Sequence, residues 1–377
     1  MIAAACALVL AALPLFMVGG LAVQIKEEFG LTESGLGAAV TIGFLAGALS
    51  APFGGRIADR IGAKTSVYVG GLLSALSLLG LGVFTDGWAT MTAFLCLAGL
   101  AVAITDPGLA ILINRAIPES RQGLAFGIKE ASIPAATLAA GIAVPAVALT
   151  VGWRWAFSIG LLPWAVVLVL LPRLRARATL VGGTSGTDVT TPPPANERRG
   201  LLLAAFAGAL GTAAASGVGI FLTDSAVAMG LSPANAGILL AIGSLAGIVT
   251  RVATGVMADR SGGPQFRLVA TMLAVGAVTI ALGGTGSPAL LVVGTIGAFT
   301  GGWAWTGLFF LSLVKTRPER PGTVVGIGVA GLGIGNAAGP LLFGVVAQSM
   351  SFGAAWLGAG ILAGLASMLM ALARHRF

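Results

Sequence analysis

GRIADR at Gly55 to Arg60 and GVMADR at Gly255 to Arg260 are two copies of one pattern set 200 residues apart. The same offset pairs GFLAG, Gly43 to Gly47, with GSLAG, Gly243 to Gly247. It also pairs Leu31-Thr32 with Leu231-Ser232 and Pro118-Glu119 with Pro318-Glu319. Ala131, Ala135 and Ala139 match Gly331, Gly335 and Gly339, so one helix face carries a small residue every fourth position in both copies. A single offset shared by unrelated motifs is the mark of an internal duplication.

The duplicated unit is not water-soluble. Of the 377 residues 57% are hydrophobic and 9% charged, where soluble domains carry about 25% charged residues. A spanning helix needs about 20 mainly apolar residues. Cut at its charged and turn-rich breaks, the chain yields twelve such segments, at 3–24, 35–55, 65–85, 89–113, 123–149, 153–172, 201–223, 234–256, 266–284, 288–313, 322–348 and 352–373. The sequence therefore predicts an all-α integral membrane protein, with the lipid bilayer as its first partner. Six helices on each side of a Pro- and Arg-containing linker at 173–199 make two pseudo-symmetric bundles, 1–172 and 200–377. An even number of helices per copy keeps both in the same orientation, which is the arrangement of parallel repeats. The first 24 residues lack a basic n-region and a clear cleavage site, so they read as a spanning helix and not as a removable signal.

A net charge of +8 and a pI near 10.7 raise the possibility of nucleic acid as a partner. The distribution of charge excludes it: all but four of the 21 lysines and arginines fall in loops or tails of one side, the exceptions being Lys26, Arg154, Lys129 and Arg251. By the positive-inside rule both termini lie in the cytoplasm, and the basic pI is an orientation signal. Cys6 and Cys96 stand singly and His375 is the only histidine, so neither a metal centre nor a disulfide nor a cofactor is expected. GxxxxGK[ST], HExxH and GxSxG are absent, which argues against an enzyme or an ATP-driven pump.

GRIADRIGAK, Gly55 to Lys64, lying between helices 2 and 3 with its shortened copy between helices 8 and 9, resembles the G-x-x-x-D-R-x-G-x-[RK] loop of the major facilitator superfamily. The resemblance covers the whole chain through helix number, repeat offset and loop charge. It implies a secondary transporter working by alternating access, expected as a monomer in the cell membrane. It also implies a latch at the cytoplasmic side in which Asp59 holds the two halves together, with Gly55, Arg60, Gly62, Lys64 and Arg115 around it. Gly255, Asp259 and Arg260 would serve the second half. The second copy continues SGGPQF and loses the later basic position. Two departures bear on direction: Leu95 stands where many proton-coupled exporters of the superfamily have arginine in helix 4, and helix 5 reads Ser132-Ile133-Pro134 in place of the exporter Gly-Pro pattern.

Ionisable residues inside a membrane cost about 2.5–3.5 kcal/mol each at the helix centre and default to functional roles. Asp106 lies nine residues before Arg115, and Lys129 and Glu130 lie six and seven residues into helix 5. At 1.5 Å per residue these depths are roughly 13 Å and roughly 9–10 Å from the same side. Asp106 and Lys129 are thus expected to pair, either as an anion site with a protonatable carboxylate or as a static tie between helices. Arg251, near the end of helix 8, is expected to snorkel to the cytoplasmic surface. Trp303 and Trp305 sit deep in helix 10 and Asn336 in helix 11, and one tryptophan is expected to line a substrate cavity. The leading functional reading is proton-coupled transport of a small polar or anionic organic solute. Export of lipophilic compounds is the alternative, and a membrane sensor is disfavoured because no stretch is long enough for a signalling domain.

Overall fold

The computed structural model describes residues 2–116, 121–172, 195–261, 263–316 and 321–376, and among these there is no β-strand. Eleven helices are long and apolar enough to cross a membrane, and a bent pair makes a twelfth. We label them α1 (Ile2–Gly20, continued after a bend by Ala22–Phe29), α2 (Glu33–Ile61), α3 (Ala63–Val83), α4 (Trp88–Ala116), α5 (Gln122–Ala143), α6 (Trp153–Leu170), α7 (Ala195–Ala228), α8 (Pro233–Asp259), α9 (Phe266–Gly283), α10 (Pro288–Thr316), α11 (Pro321–Ser349) and α12 (Phe352–Ala373).

The repeated motifs turn out to be the punctuation and the packing of this bundle. Thr32 and Ser232 cap α2 and α8, accepting from the amides of Gly35 at 3.1 Å and Asn235 at 3.2 Å. Just before each cap the chain turns at Gly30 and Gly230, both at positive φ. Gly47 backs onto the Gly99 carbonyl of α4, and Gly247 onto the Phe299 carbonyl of α10. Gly331, Gly335 and Gly339 lie against the α7 carbonyls of Ala205, Ala209 and Ala213. Pro118-Glu119 and Pro318-Glu319 lie outside the described residues.

Two helix boundaries differ from the expected ones, and two spans are broken internally. The GRIADR stretch is not a loop: α2 continues to Ile61, and the reversal into α3 is made by Gly62 alone, at φ +85. A residue with a Cβ adopts that conformation only under strain, which is why one glycine suffices for the break. Gly55 lies within α2 and faces open space, so it takes no part in that turn. At the other boundary, helix α7 starts at Ala195, so the last residues of the expected linker are helical; 173–194 lie outside the described residues. Helix α1 bends by 63° at Leu21, behind the Gly19-Gly20 pair. Helix α10 is interrupted: a π-turn, Ala298–Gly302, gives way to irregular backbone before α-helix resumes at Thr306.

Two seams join the first six helices to the last six. The α5–α8 seam runs the length of both helices. Gly123 meets Gly255, Gly127 meets the Arg251 carbonyl, Thr137 and Ser244 hydroxyls bond at 2.7 Å, and Gly141 meets Gly237. A Cβ at Gly255 would lie 2.5 Å from the Gly123 carbonyl oxygen, and one at Gly237 2.6 Å from that of Gly141. The α2–α11 seam is tight at one end only. Thr41 donates to the Ala337 carbonyl at 2.6 Å, and Gln348 accepts from the Ser34 amide at 3.2 Å. Toward the end carrying Arg56 and Arg60, hereafter the basic end, Leu49 is 73% and Phe53 62% exposed.

The closeness of the long seam gives a paired prediction. Gly255→Leu must push α5 and α8 apart and should lower the thermal midpoint in detergent by several degrees, since overpacking costs about 1–3 kcal/mol. Gly55→Ala, whose added methyl meets nothing within 4 Å, should melt with wild type. Equal midpoints for the two variants, read by dye-based thermal denaturation, would show that the seam does not have this spacing.

Candidate functional site

Four charged side chains meet where α4, α5, α8 and α10 converge. Lys129 Nζ lies 2.8 Å from Asp106 Oδ1 and 3.4 Å from Glu130 Oε1. The second Glu130 oxygen accepts from Thr306 Oγ1 at 2.9 Å, across from α5 to α10. The Lys129 ammonium also stands 5.7 Å from the centre of the Phe310 ring, a favourable position for a cation. Asp106 keeps 31% of its side chain exposed, against 12% for Lys129 and 6% for Glu130. One end of the chain of charges is therefore accessible, and the other is sealed.

Arg251 corrects the sequence reading. Its side chain is turned inward and is 1% exposed, donating to the Glu130 carbonyl and, at 2.7 Å, to the Trp303 carbonyl. Two features account for this. Helix α8 runs on through Asp259, so Arg251 is two turns from its end and too deep to snorkel. Gly127 lets the α8 backbone approach α5 closely enough for the guanidinium to reach a main-chain oxygen. The Trp303 carbonyl is available because α10 is broken there, and discontinuous helices expose polar backbone only where it is buried in protein or lines a cavity.

The two tryptophans part company. Trp303 packs in the same neighbourhood, 5.5 Å from the Phe16 ring and 5.4 Å from Phe299, with the Arg251 guanidinium 5.8 Å from its centre. Trp305 is fully buried among the last six helices, bonded at 2.8 Å to the Gly302 carbonyl and edge-on to Phe309. It fills space and does not line a cavity, because the irregular backbone between the residues points their rings apart. Asn336 is half-buried without a side-chain partner, at helical spacing between the α11 faces that meet α7 and α2.

At the basic end, Asp259 reaches across the long seam to the first amides of α5, accepting from Gly123 at 2.6 Å and Leu124 at 3.0 Å. A carboxylate there meets free N–H groups and the positive end of the helix dipole. Lys315 closes the end of α8 itself, donating to the Ser261 carbonyl at 2.8 Å and that of Ala258 at 3.3 Å. Arg60 and Arg260 are exposed, and with Lys64 they form no ion pair among the described residues. The side chains of Asp59 and Arg115 lie outside the described residues.

The opposite end holds a second cross-link that sequence reasoning missed. Lys26 Nζ lies 2.6 Å from Asp224 in α7 and 2.7 Å from Glu33 in α2, and Thr223 donates to the Gly19 carbonyl at 2.9 Å. Ending helix 7 at residue 223 hid Asp224; extending the apolar pattern to Ala228 marks it as an intramembrane acid. Thr306 was also missed, and its signal was its place directly after the broken Gly-Gly-Trp-Ala-Trp run. Apart from these sites, a groove of about 490 Å³ between α5 and α8, lined by Leu138, Ile142, Pro145, Ile238, Ile242 and Leu245, is wholly apolar. It belongs to the lipid-facing surface.

Residues 4–284 match the family model described as Major Facilitator Superfamily. Among curated proteins the chain is similar to the niacin transporter NiaP of Acinetobacter baylyi, 29% identical over 150 residues. It is likewise similar to the gentisate transporter of Corynebacterium glutamicum, 27% identical over 157 residues. These stretches are 40% and 41% of this chain but only 34% and 35% of those relatives. In fold it resembles the crystal structure of a D-xylose-proton symporter, with a TM-score of 0.78 over 98% of this chain and 95% of that one, at 16% identity.

The Lys26 cross-link predicts an opening phenotype. Asp224→Asn should weaken the tie between α1 and α7 by about 1–2 kcal/mol, a factor of about 5–30 in an equilibrium. With Cys6 and Cys96 replaced by serine, a cysteine at buried Thr223 should then react with maleimide several-fold faster than in the same background with Asp224 intact; an unchanged rate removes Asp224 from the closure. The match over three quarters of the sequence, together with twelve spans in this arrangement, makes the chain a multi-pass membrane protein belonging to the Major Facilitator Superfamily.

Proposed function

We propose that this protein is a secondary active transporter that moves a small organic anion together with protons, by alternating access between its six-helix halves, 1–172 and 200–377. The basic end is assigned to the cytoplasm, from the side on which the arginines gather. The observation that carries the reading is Lys129, which holds Asp106 at 2.8 Å and Glu130 at 3.4 Å in the middle of spanning helices. A carboxylate substrate competes with Asp106 for the ammonium, and protonation of Asp106 clears the way. Proton and anion then bind in concert, because each removes the electrostatic obstacle to the other. The rings of Phe310 and Trp303 lie beside Lys129 and Arg251, and Phe16 packs on Trp303. That setting suits an aromatic acid, as niacin and gentisate both are. Family and fold favour a transporter over an enzyme.

Export of lipophilic compounds is the second reading, favoured by the same aromatic surface. The two are separated in proteoliposomes by following internal pH while adding nicotinate, benzoate or a lipophilic cationic dye. The expected result is proton uptake driven by the aromatic acids, lost by at least tenfold in Lys129→Ala and uncoupled from the proton in Asp106→Asn. Proton movement with the dye alone, or anion flux surviving Lys129→Ala, overturns the anion reading.

A further inference from the structure

The buried guanidinium of Arg251 has a use that neither the family nor the ion pair accounts for. It is bonded to two main-chain carbonyls, its Nε has no partner, and among the described residues no carboxylate stands within ion-pairing distance of it. A lone buried cation is costly unless an opposite charge is close. The nearest carboxylate by connectivity is that of Glu130, the residue whose carbonyl Arg251 already holds. In this conformation it is turned instead to Lys129 and Thr306. Lys129 thus pairs closely with two carboxylates, while Arg251 feels the Glu130 charge only from beyond ion-pairing distance.

The charges of the cluster sum to zero: Asp106 and Glu130 against Lys129 and Arg251. Asp259, the next acid along α8, is engaged at the amides of α5. When a substrate anion takes Lys129, both carboxylates lose their partner. Asp106, at 31% exposure, can take a proton from water. Glu130, 6% exposed, needs another cation beside it to stay charged, and a change of its side-chain rotamers turns it toward the open Nε–H of Arg251.

We infer that Arg251 is a positioning residue, the alternate counter-ion that keeps Glu130 ionised when the anion occupies Lys129, so that Asp106 alone carries the proton and one proton moves with each anion. The inference rests on the anion reading above and fixes its stoichiometry. Each change to the cluster's charge then changes the protons needed for a neutral loaded state. With Arg251→Gln the loaded cluster needs two protons, but the empty cluster, at a charge of −1, already holds one of them, so one still moves with each anion. With Glu130→Gln it needs none, and with both substitutions it returns to one.

The test is the ratio of proton to labelled nicotinate taken up by proteoliposomes clamped at zero potential, for wild type, R251Q, E130Q, the double variant and R251K. Ratios near one, one, zero, one and one are expected in that order, the fall to zero in E130Q and its return to one in the double variant being the signature of the counter-ion role. A purely structural Arg251 would lower thermal stability in R251Q and leave the ratio at one in every active variant; that result overturns the inference. If R251Q does not fold, E130Q and the double variant carry the decision: a ratio that falls toward zero in E130Q and returns to one in the double variant supports the counter-ion role, whereas zero in both, which makes Glu130 the proton carrier, or one in both refutes it. If wild type takes up no protons with nicotinate or benzoate, the anion reading has failed and the role of Arg251 falls with it.

Discussion

An ion in hydrocarbon must find its counter-ion inside the protein, because the bilayer offers neither water nor salt. At about 2.5–3.5 kcal/mol each, four unpaired charges would cost on the order of 10 kcal/mol, comparable to the whole stability of an ordinary domain, about 5–15 kcal/mol. Gathering Asp106, Lys129, Glu130 and Arg251 into one neutral cluster reduces that cost. It also dictates much of the architecture. The charges come from three helices, and the carbonyl that Arg251 needs at Trp303 comes from a fourth, α10, broken at that depth. The four elements must converge at one level to within hydrogen-bond distance.

That convergence is made possible by glycine. Helix axes approach closely only where side chains are absent, and in lipid no hydrophobic force draws them together, so packing and polar contacts do so. Gly123, Gly127 and Gly141 on α5 and Gly237 and Gly255 on α8 bring the two backbones into contact along their full length. The cluster forms part-way along this seam, and Asp259 seals its basic end on the amides of α5. The α2–α11 seam has its polar ties, Thr41 to Ala337 and Ser34 to Gln348, only toward the other end. The Lys26 to Asp224 pair adds to closure there. Among the described residues both seams are tied toward the Lys26 end, and the polar tie at the basic end is on the α5–α8 seam.

What the sequence made legible was whatever repeats or is forced by composition. Hydropathy and the common offset yielded twelve spans, because a bilayer needs long apolar runs and a duplication preserves caps such as Thr32 and Ser232. The pairing of Asp106 with Lys129 was legible because helix rise sets depth and Lys129 was the one base placed near that of Asp106. Arg251 was misread because its depth depended on where α8 ends, and three residues at that end separate a snorkelling side chain from a buried one. Asp224 was lost to the same uncertainty in α7. Helix breaks were not legible either: Gly-Gly inside an apolar run is equally a packing pair, and only the tertiary demand of Arg251 for a carbonyl shows why α10 opens at Trp303.

The duplication also shows where evolution of the two halves diverged. At the common offset Asp106 corresponds to Thr306, Lys129 to Val329, Glu130 to Ala330, Arg251 to Ala51 and Trp303 to Ala103. Every charge of the cluster therefore has an uncharged counterpart, and all of the chemistry falls on one of the two pseudo-equivalent seams. A symmetric molecule with both seams charged would hold four more ions in lipid and tie its halves together twice. With the charges on α5–α8 alone, α2–α11 is held by neutral hydrogen bonds and by glycine packing, as where Gly37 meets the Pro340 carbonyl. Asymmetry of side chains on a symmetric backbone is thus what confines a neutral ion cluster to one closely packed seam of the bundle.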